Sequence, residues 1–174
     1  VSPLRIPADF PAWSQDETDA AVADLARLGL IRSVEEGPER RAQPDTLSVW
    51  LQLTERCNLA CAYCYVRRRQ REMSDATSEA VVRRIVKTAK RHGYERVRIK
   101  YGGGEPTLVF PRLFAVHDHL AAEAALAGIA LEPILMTNGV AVRDAQLQAC
   151  ADRGIRLAVS LDGGPQGHNA VRCL

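Results

Sequence analysis

A chain of 174 residues, 47% hydrophobic and 25% charged, carries enough apolar side chains to bury a core, which excludes a disordered tail or a low-complexity linker. Its formal net charge of only +2 gives no global electrostatic footprint for nucleic acid or a membrane surface, so neither is expected as a partner. No apolar run approaches a membrane span, and Val1 to Phe10 lack the charged-then-apolar order of a secretory signal; a cytoplasmic location is expected.

In chain order, Ser14 to Ile31 predicts a helix, with Ser14 and Glu17 as a capping box, Val22, Leu25 and Leu28 on one face and Gly29 as the stop. The polar, proline-containing segment from Glu35 to Asp45 reads as a linker. Residues 1–46 are therefore expected to form a small, mainly helical unit, too short to hold a core alone. The run Ser48 to Thr54 is strand-like and breaks at a cysteine cluster. A helix follows from about Ser74 to His92, with Val81, Val82, Ile85, Val86 and Ala89 apolar and Gly93 as its stop.

Arg96 to Tyr101 predicts a second strand, followed by a glycine-rich turn and a helix opened by Pro111 with Leu113, Phe114, Val116, Leu120 and Ala124 along its stripe. Leu131 to Thr137 predicts a third strand, Val142 to Arg153 a helix ending before Gly154, and Ile155 to Leu161 a fourth strand. Strands alternating with helices of this length imply βαβ units, a parallel sheet and an α/β fold. Each strand ends in an unusual segment: Cys57 to Cys64, Gly102 to Thr107, Thr137 to Gly139, and Ser160 to Gly164. Parallel α/β folds gather ligands at the C-terminal ends of their strands, so these segments are expected to share one site.

Of the five cysteines, Cys57, Cys61 and Cys64 are spaced C-x3-C-x2-C on one loop, while Cys150 and Cys173 stand apart. An odd count with three close neighbours is not a disulfide framework and points to metal or redox chemistry. Three thiolates with no adjacent fourth suit an iron–sulfur cluster whose last iron takes a ligand from outside. A structural zinc site needs a fourth protein ligand, which no second paired motif supplies. Buried, inert thiols are the remaining alternative.

The spacing, with aromatic Tyr63 just before the last cysteine, resembles the cluster motif of the radical S-adenosylmethionine (SAM) superfamily. That resemblance implies that Cys57, Cys61 and Cys64 hold a [4Fe-4S] cluster whose open iron is chelated by the amino and carboxylate groups of SAM, with Tyr63 along the adenine. Gly103, Gly104, Glu105 and Pro106 match the superfamily's Gly-Gly-Glu-Pro motif. They would receive the SAM ammonium, with the Glu105 carboxylate as counter-charge. A plain βα turn is the alternative there; the dinucleotide and P-loop spacings are not met.

Ser160, Asp162, Pro165, His168, Asn169 and Arg172 resemble the fourth-strand segment of the subgroup that modifies peptides and proteins, the SPASM-type maturases. Ser160 and Asp162 would then lie near the SAM ribose or methionine and Arg172 would pair with its carboxylate; a helix N-cap is the alternative for the first two. Thr137, Asn138 and Gly139 match a third-strand motif, Asn138 being a cofactor-site candidate, although Asn-Gly is also a common turn. The basic run Arg67 to Arg71 reads as solvated surface or a guide for an acidic peptide. His92, His117 and His119 read as surface or internally satisfied residues, His168 is unassigned, Cys150 reads as core, and Trp13 and Trp50 read as packing residues.

The resemblance thus implies the first half of a radical SAM partial (β/α) barrel over residues 47–174, with about four of about six βα units present. It implies one-electron cluster reduction by a donor such as flavodoxin or ferredoxin, homolysis of SAM, and hydrogen abstraction from a substrate by a 5'-deoxyadenosyl radical. The front helix resembles the tail of a winged-helix unit that precedes some ribosomal-peptide maturases, so a precursor peptide is the expected partner. A sulfatase-maturase-like oxidase and a non-catalytic metal-binding module are the other two readings.

Overall fold

Leu47, Val49, Leu51 and Leu53 stand at every second position, and an extended segment turns all four to one side. That segment is strand β1 (Thr46–Thr54), with Leu51 and Leu53 buried. The computed structural model describes residues 14–28, 31 and 45–173. Trp13, Gly29 and, apart from Asp45, the expected linker lie outside the described residues. The chain divides into two compact units between residues 42 and 43.

In the first unit, helix α1 (Gln15–Arg27) starts at the expected capping box: Glu17 N–H donates to Ser14 Oγ at 3.2 Å, and Ser14 N–H to Glu17 Oε2 at 2.8 Å. Val22, Leu25 and Leu28 are exposed.

In the second unit, β1, β2 (Arg96–Gly103), β3 (Ala130–Thr137) and β4 (Arg156–Val159) form one sheet in sequential order, every pair parallel. Helices α2 (Asp75–His92), α3 (Phe110–Leu126) and α4 (Asp144–Asp152) make the crossovers. Sequential parallel strands with helical crossovers are an arc of a (β/α) barrel. Its core lies between sheet and helices: Val97, Ile99, Tyr101 and Leu135 meet Val82, Ile85, Val86 and Ala89 of α2 and Leu113, Val116 and Leu120 of α3. Each such aliphatic side chain contributes about 2 kcal/mol of burial.

The caps explain where the helices stop and start. Ser74 Oγ accepts the Thr77 amide at 3.2 Å, and Gly93 adopts the left-handed conformation (φ 68°) that closes α2. A 3-10 turn, Pro106–Val109, precedes α3, so that helix begins at Phe110, with Pro111 in its first turn.

Several boundaries differ from expectation. Strand β2 continues two residues beyond Tyr101, because Gly102 and Gly103 keep pairing with Gln52 and Thr54. Strand β4 is confined to the four residues that pair with β3, and Leu157 and Val159 on its helix side remain 37% and 52% exposed. A short helix, α5 (Pro165–Val171), follows it. No helix among the described residues is long and apolar enough to cross a membrane.

Candidate functional site

The cysteine loop leaves β1 at Thr54, whose buried hydroxyl donates to the Arg71 carbonyl at 2.9 Å and accepts the Arg56 amide at 3.0 Å. Glu55 N–H also donates to Arg71 O (2.9 Å) and Met73 N–H to Leu53 O (2.8 Å), so the loop is clamped at its base. Leu59 and Val66 bury themselves as anchors. The clamp fixes the backbone around Arg67 to Arg71 while those arginine side chains stay exposed, in line with a solvated surface. On its far side the loop is tied to the segment after β4: Ala60 N–H donates to Cys173 O at 2.6 Å and Ala62 N–H to Val171 O at 3.0 Å.

The glycines bring the end of β2 against this loop. A Cβ on Gly104 would stand 2.1 Å from Arg56 O, and one on Gly103, whose φ is 123°, would stand 2.4 Å from Thr54 O. Gly104 N–H donates to Thr54 O at 2.8 Å and Glu105 N–H to Arg56 O at 2.7 Å. Those two amides are thus committed to the loop, which leaves carbonyl oxygens, the acceptors an ammonium needs, as the motif's main offering to a ligand.

Glu105 is 1% exposed. Its Oε1 accepts Thr107 N–H (3.1 Å), Thr107 Oγ1 (2.6 Å) and Thr137 Oγ1 (2.7 Å), and its Oε2 accepts Asn138 N–H (2.8 Å). The carboxylate expected as counter-charge is thus also a strut joining β2 to β3, with one Oε2 lone pair left over. Pro106 beside it is buried. Asn138 is similarly engaged, donating from Nδ2 to Asn58 Oδ1 at 2.8 Å and accepting Val140 N–H at 3.0 Å. It ties β3 to the cysteine loop from the cavity wall.

After β4, the Asp162 carboxylate accepts from Tyr63 OH and, at 2.5 Å, from Arg172 Nε; Arg172 also stands over the Tyr63 ring at 5.8 Å. The Tyr63 and Arg172 contacts hold Asp162 below the usual carboxylate range, and the same contact pushes the Tyr63 phenol up. The N-cap of α5 is Gly164 with no side-chain cap, so neither Ser160 nor Asp162 caps that helix. Of the Arg172 guanidinium, the terminal nitrogens remain for a ligand carboxylate. His168 Nδ1 accepts the Asp162 amide at 3.3 Å.

These segments meet at one cavity of about 200 Å³. Cys57, Cys61, Tyr63, Cys64, Gly103, Gly104, Glu105, Asn138, Ser160 and Arg172 all line it, so the four strand ends do converge. Among the described residues no group of three His, Cys, Asp or Glu is drawn tightly enough to hold a metal ion as it stands. The donor set nonetheless fits a cluster: three cysteines line one chamber with no fourth cysteine in its wall, so they would hold it by three thiolates and leave one iron for an outside ligand. Burial pushes the Cys57 thiol up, Glu105 and the other two thiols adding to it, so metal binding must displace its proton.

Cys150 is fully buried, as expected, and His117 is buried with its Nδ1 3.0 Å from Tyr101 OH. Trp50 departs from the packing role: it is 53% exposed and lines the cavity. The signal was present, since burying Leu51 and Leu53 turns Trp50 to the opposite face of β1. Asn58 and Met136 also belong to the site or its supports without having been singled out.

Compared with known proteins, residues 51–172 match the model of the Radical SAM superfamily. The serine-type anaerobic sulfatase-maturating enzyme of Klebsiella aerogenes is 32% identical over 110 residues, covering 62% of this chain and 27% of that protein. GTP 3',8-cyclase of Parasynechococcus marenigrum (strain WH8102) is 36% identical over 118 residues, covering 65% and 33%. The solved structure of anSMEcpe with bound AdoMet superposes with a TM-score of 0.62 at 25% identity, over 74% of this chain and 35% of that one. A form of anSMEcpe with AdoMet and the Kp18Cys peptide gives 0.58 at 25% identity, over 73% and 35%. The chain thus spans about a third or less of the curated relatives it matches.

Proposed function

The chain belongs to the radical SAM superfamily, and on that premise we propose that it supplies the cluster-binding and SAM-binding residues of an enzyme acting on a peptide or protein, in a ribosomal-peptide maturation reaction. The observation that carries this reading is the convergence of the four strand-end segments on one cavity lined by three cysteines. When bound, the [4Fe-4S] cluster and SAM supply one-electron reduction and a hydrogen-abstracting radical.

This chain's share is placement. Cys57, Cys61 and Cys64 would hold the cluster, the carbonyls of Gly102 to Gly104 would take the SAM ammonium, and Arg172 would steer its carboxylate through the terminal nitrogens left free by Asp162. Glu105 and Asn138 keep the glycine turn, β3 and the cysteine loop in fixed register, so the ammonium and cluster subsites cannot drift apart. Tyr63, held by Asp162, offers a ring edge for the adenine. Residues 1–46 would act as the unit that receives a leader segment of the precursor, with flavodoxin or ferredoxin as electron donor and the cytoplasm as location.

The peptide reading is supported by the resemblance to sulfatase-maturating enzymes and by the peptide bound in one solved relative. The same relatives favour a second reading, a sulfatase-maturase-like oxidase. The test of the common core is 5'-deoxyadenosine formed from SAM under dithionite by the anaerobically reconstituted protein; a fully loaded cluster that forms none removes the reading. Mass spectrometry separates the two substrates: hydrogen loss from a serine-bearing sulfatase peptide supports the oxidase, and a new bond within a genomically adjacent precursor supports the maturase.

A further inference from the structure

The strand register sets Trp50, Lys100, Ile134 and Arg156 in one row across the sheet, on the face turned away from the helices. The row toward the strand C-termini contains Gln52, Gly102, Met136 and Ala158, and Gly102 and Met136 already line the cavity. Trp50 and Lys100 are therefore one layer below the proposed SAM site, and Trp50 reaches it. Gly102 has no left-handed φ; a Cβ there would stand 3.0 Å from the Trp50 indole, so its lack of a side chain makes room for the ring. A half-exposed indole set against the backbone of a glycine in the lining of a cavity is a stacking platform.

The charges on this face are unequal. Glu132 pairs with Arg98 at 2.7 Å, and Arg156 approaches the same carboxylate oxygen at 4.0 Å. Lys100 has no carboxylate within ion-pair distance among the described residues; its Nζ stands 5.9 Å from the Trp50 ring centroid. Two of the three cations lining this hollow thus share its one acid, and Lys100, among the described residues, has the Trp50 ring as its neighbour instead.

We infer that Trp50 and Lys100 form a specificity pocket for a carboxylate-bearing residue of the substrate peptide, the chain stacking on the indole and the carboxylate closing on Lys100 Nζ. This rests on the peptide reading given above and names the kind of peptide: one with an acidic residue close to the atom that reacts. A lysine suits the task because it offers a compact point charge on a flexible stem.

The experiment is anaerobic calorimetric titration of the cluster-loaded, SAM-saturated chain with acetyl-Ala-Glu-Ala-amide and its glutamine counterpart. The glutamate peptide is expected to bind about tenfold more tightly, the scale of one charge-assisted hydrogen bond. Lys100→Met should level the two peptides, Lys100→Arg should restore the preference, and Trp50→Leu should weaken both alike. Equal binding of the two peptides by the unsubstituted protein, or a preference that survives Lys100→Met, overturns the assignment. Competition by inorganic phosphate as strong as by the glutamate peptide would make this a general anion site and overturn it too. Measuring 5'-deoxyadenosine on the unsubstituted preparation keeps the two ideas apart: product without glutamate preference removes the pocket alone, and preference without product removes the reaction alone.

Discussion

Replacing Gly104 with alanine puts a methyl group 2.1 Å from Arg56 O, 2.7 Å from its carbonyl carbon and 3.0 Å from the Glu55 carbonyl carbon. All three are backbone atoms in a clamped loop, so no flexible side chain can move aside. The end of β2 must retreat by about 1 Å to restore ordinary contact, stretching the Gly104-to-Thr54 and Glu105-to-Arg56 hydrogen bonds now at 2.8 and 2.7 Å. Two weakened bonds and the overpacking together cost about 3 kcal/mol. For a domain of this size that lowers Tm by roughly 6 to 12 °C. Gly164→Ala is the matched control, because nothing stands within 4 Å of its would-be Cβ and its φ of −76° suits any residue. Thermal unfolding of both variants, with iron bound per chain after reconstitution, measures the two effects. Gly104→Ala should lose stability and iron together. A melting temperature and iron content matching those of the Gly164→Ala control would refute the close-approach argument.

The Cys57, Cys61 and Cys64 triple alanine variant should lose its iron–sulfur absorbance, whereas Cys150→Ala and Cys173→Ala should keep normal iron by chemical analysis, since neither thiol lines the cavity. Glu105→Gln turns an amide donor toward the Asn138 or Thr107 amide and should cost about 2 kcal/mol in denaturant unfolding; an unchanged midpoint would mean that the strut carries no load. Burial holds the His117 imidazole below its ordinary value, Arg153 adding to this and Asp118 opposing it. The unfolded chain then binds the proton more readily, so stability falls as pH drops through the unfolded value of about 6.5. Tm measured from pH 7.5 to 5.5 should decline, and His117→Gln, which can still bond Tyr101, should flatten the slope.

Much of the fold is legible in the sequence because alternation in β1 and the 3.6-residue stripe of α2 are both strong and both end at capping residues, Ser74 and Gly93. Helix α5 is not legible: seven residues containing Gly167 and Asn169 show no period. The site residues are visible as motifs, but motif spacing does not tell which polar atoms face a ligand and which face one another. Glu105 illustrates this, since its partners Thr137 and Asn138 arrive from a different strand and only the sheet register brings them to its carboxylate. Asp162 and Arg172 likewise meet each other across α5 before they can meet a cofactor. Trp50 is large and apolar like a core residue, and only its alternation with Leu47, Val49, Leu51 and Leu53 places it on the open face of β1.

The central claim is that three cysteines of this chain hold a cluster with one iron open to SAM. Electron paramagnetic resonance of the dithionite-reduced, reconstituted protein, recorded before and after adding SAM, tests it most directly. The account predicts a reduced [4Fe-4S] signal in the unsubstituted chain that changes shape and g-values when SAM binds the open iron. A colourless zinc-loaded protein, or a full cluster whose spectrum SAM leaves untouched, would contradict it.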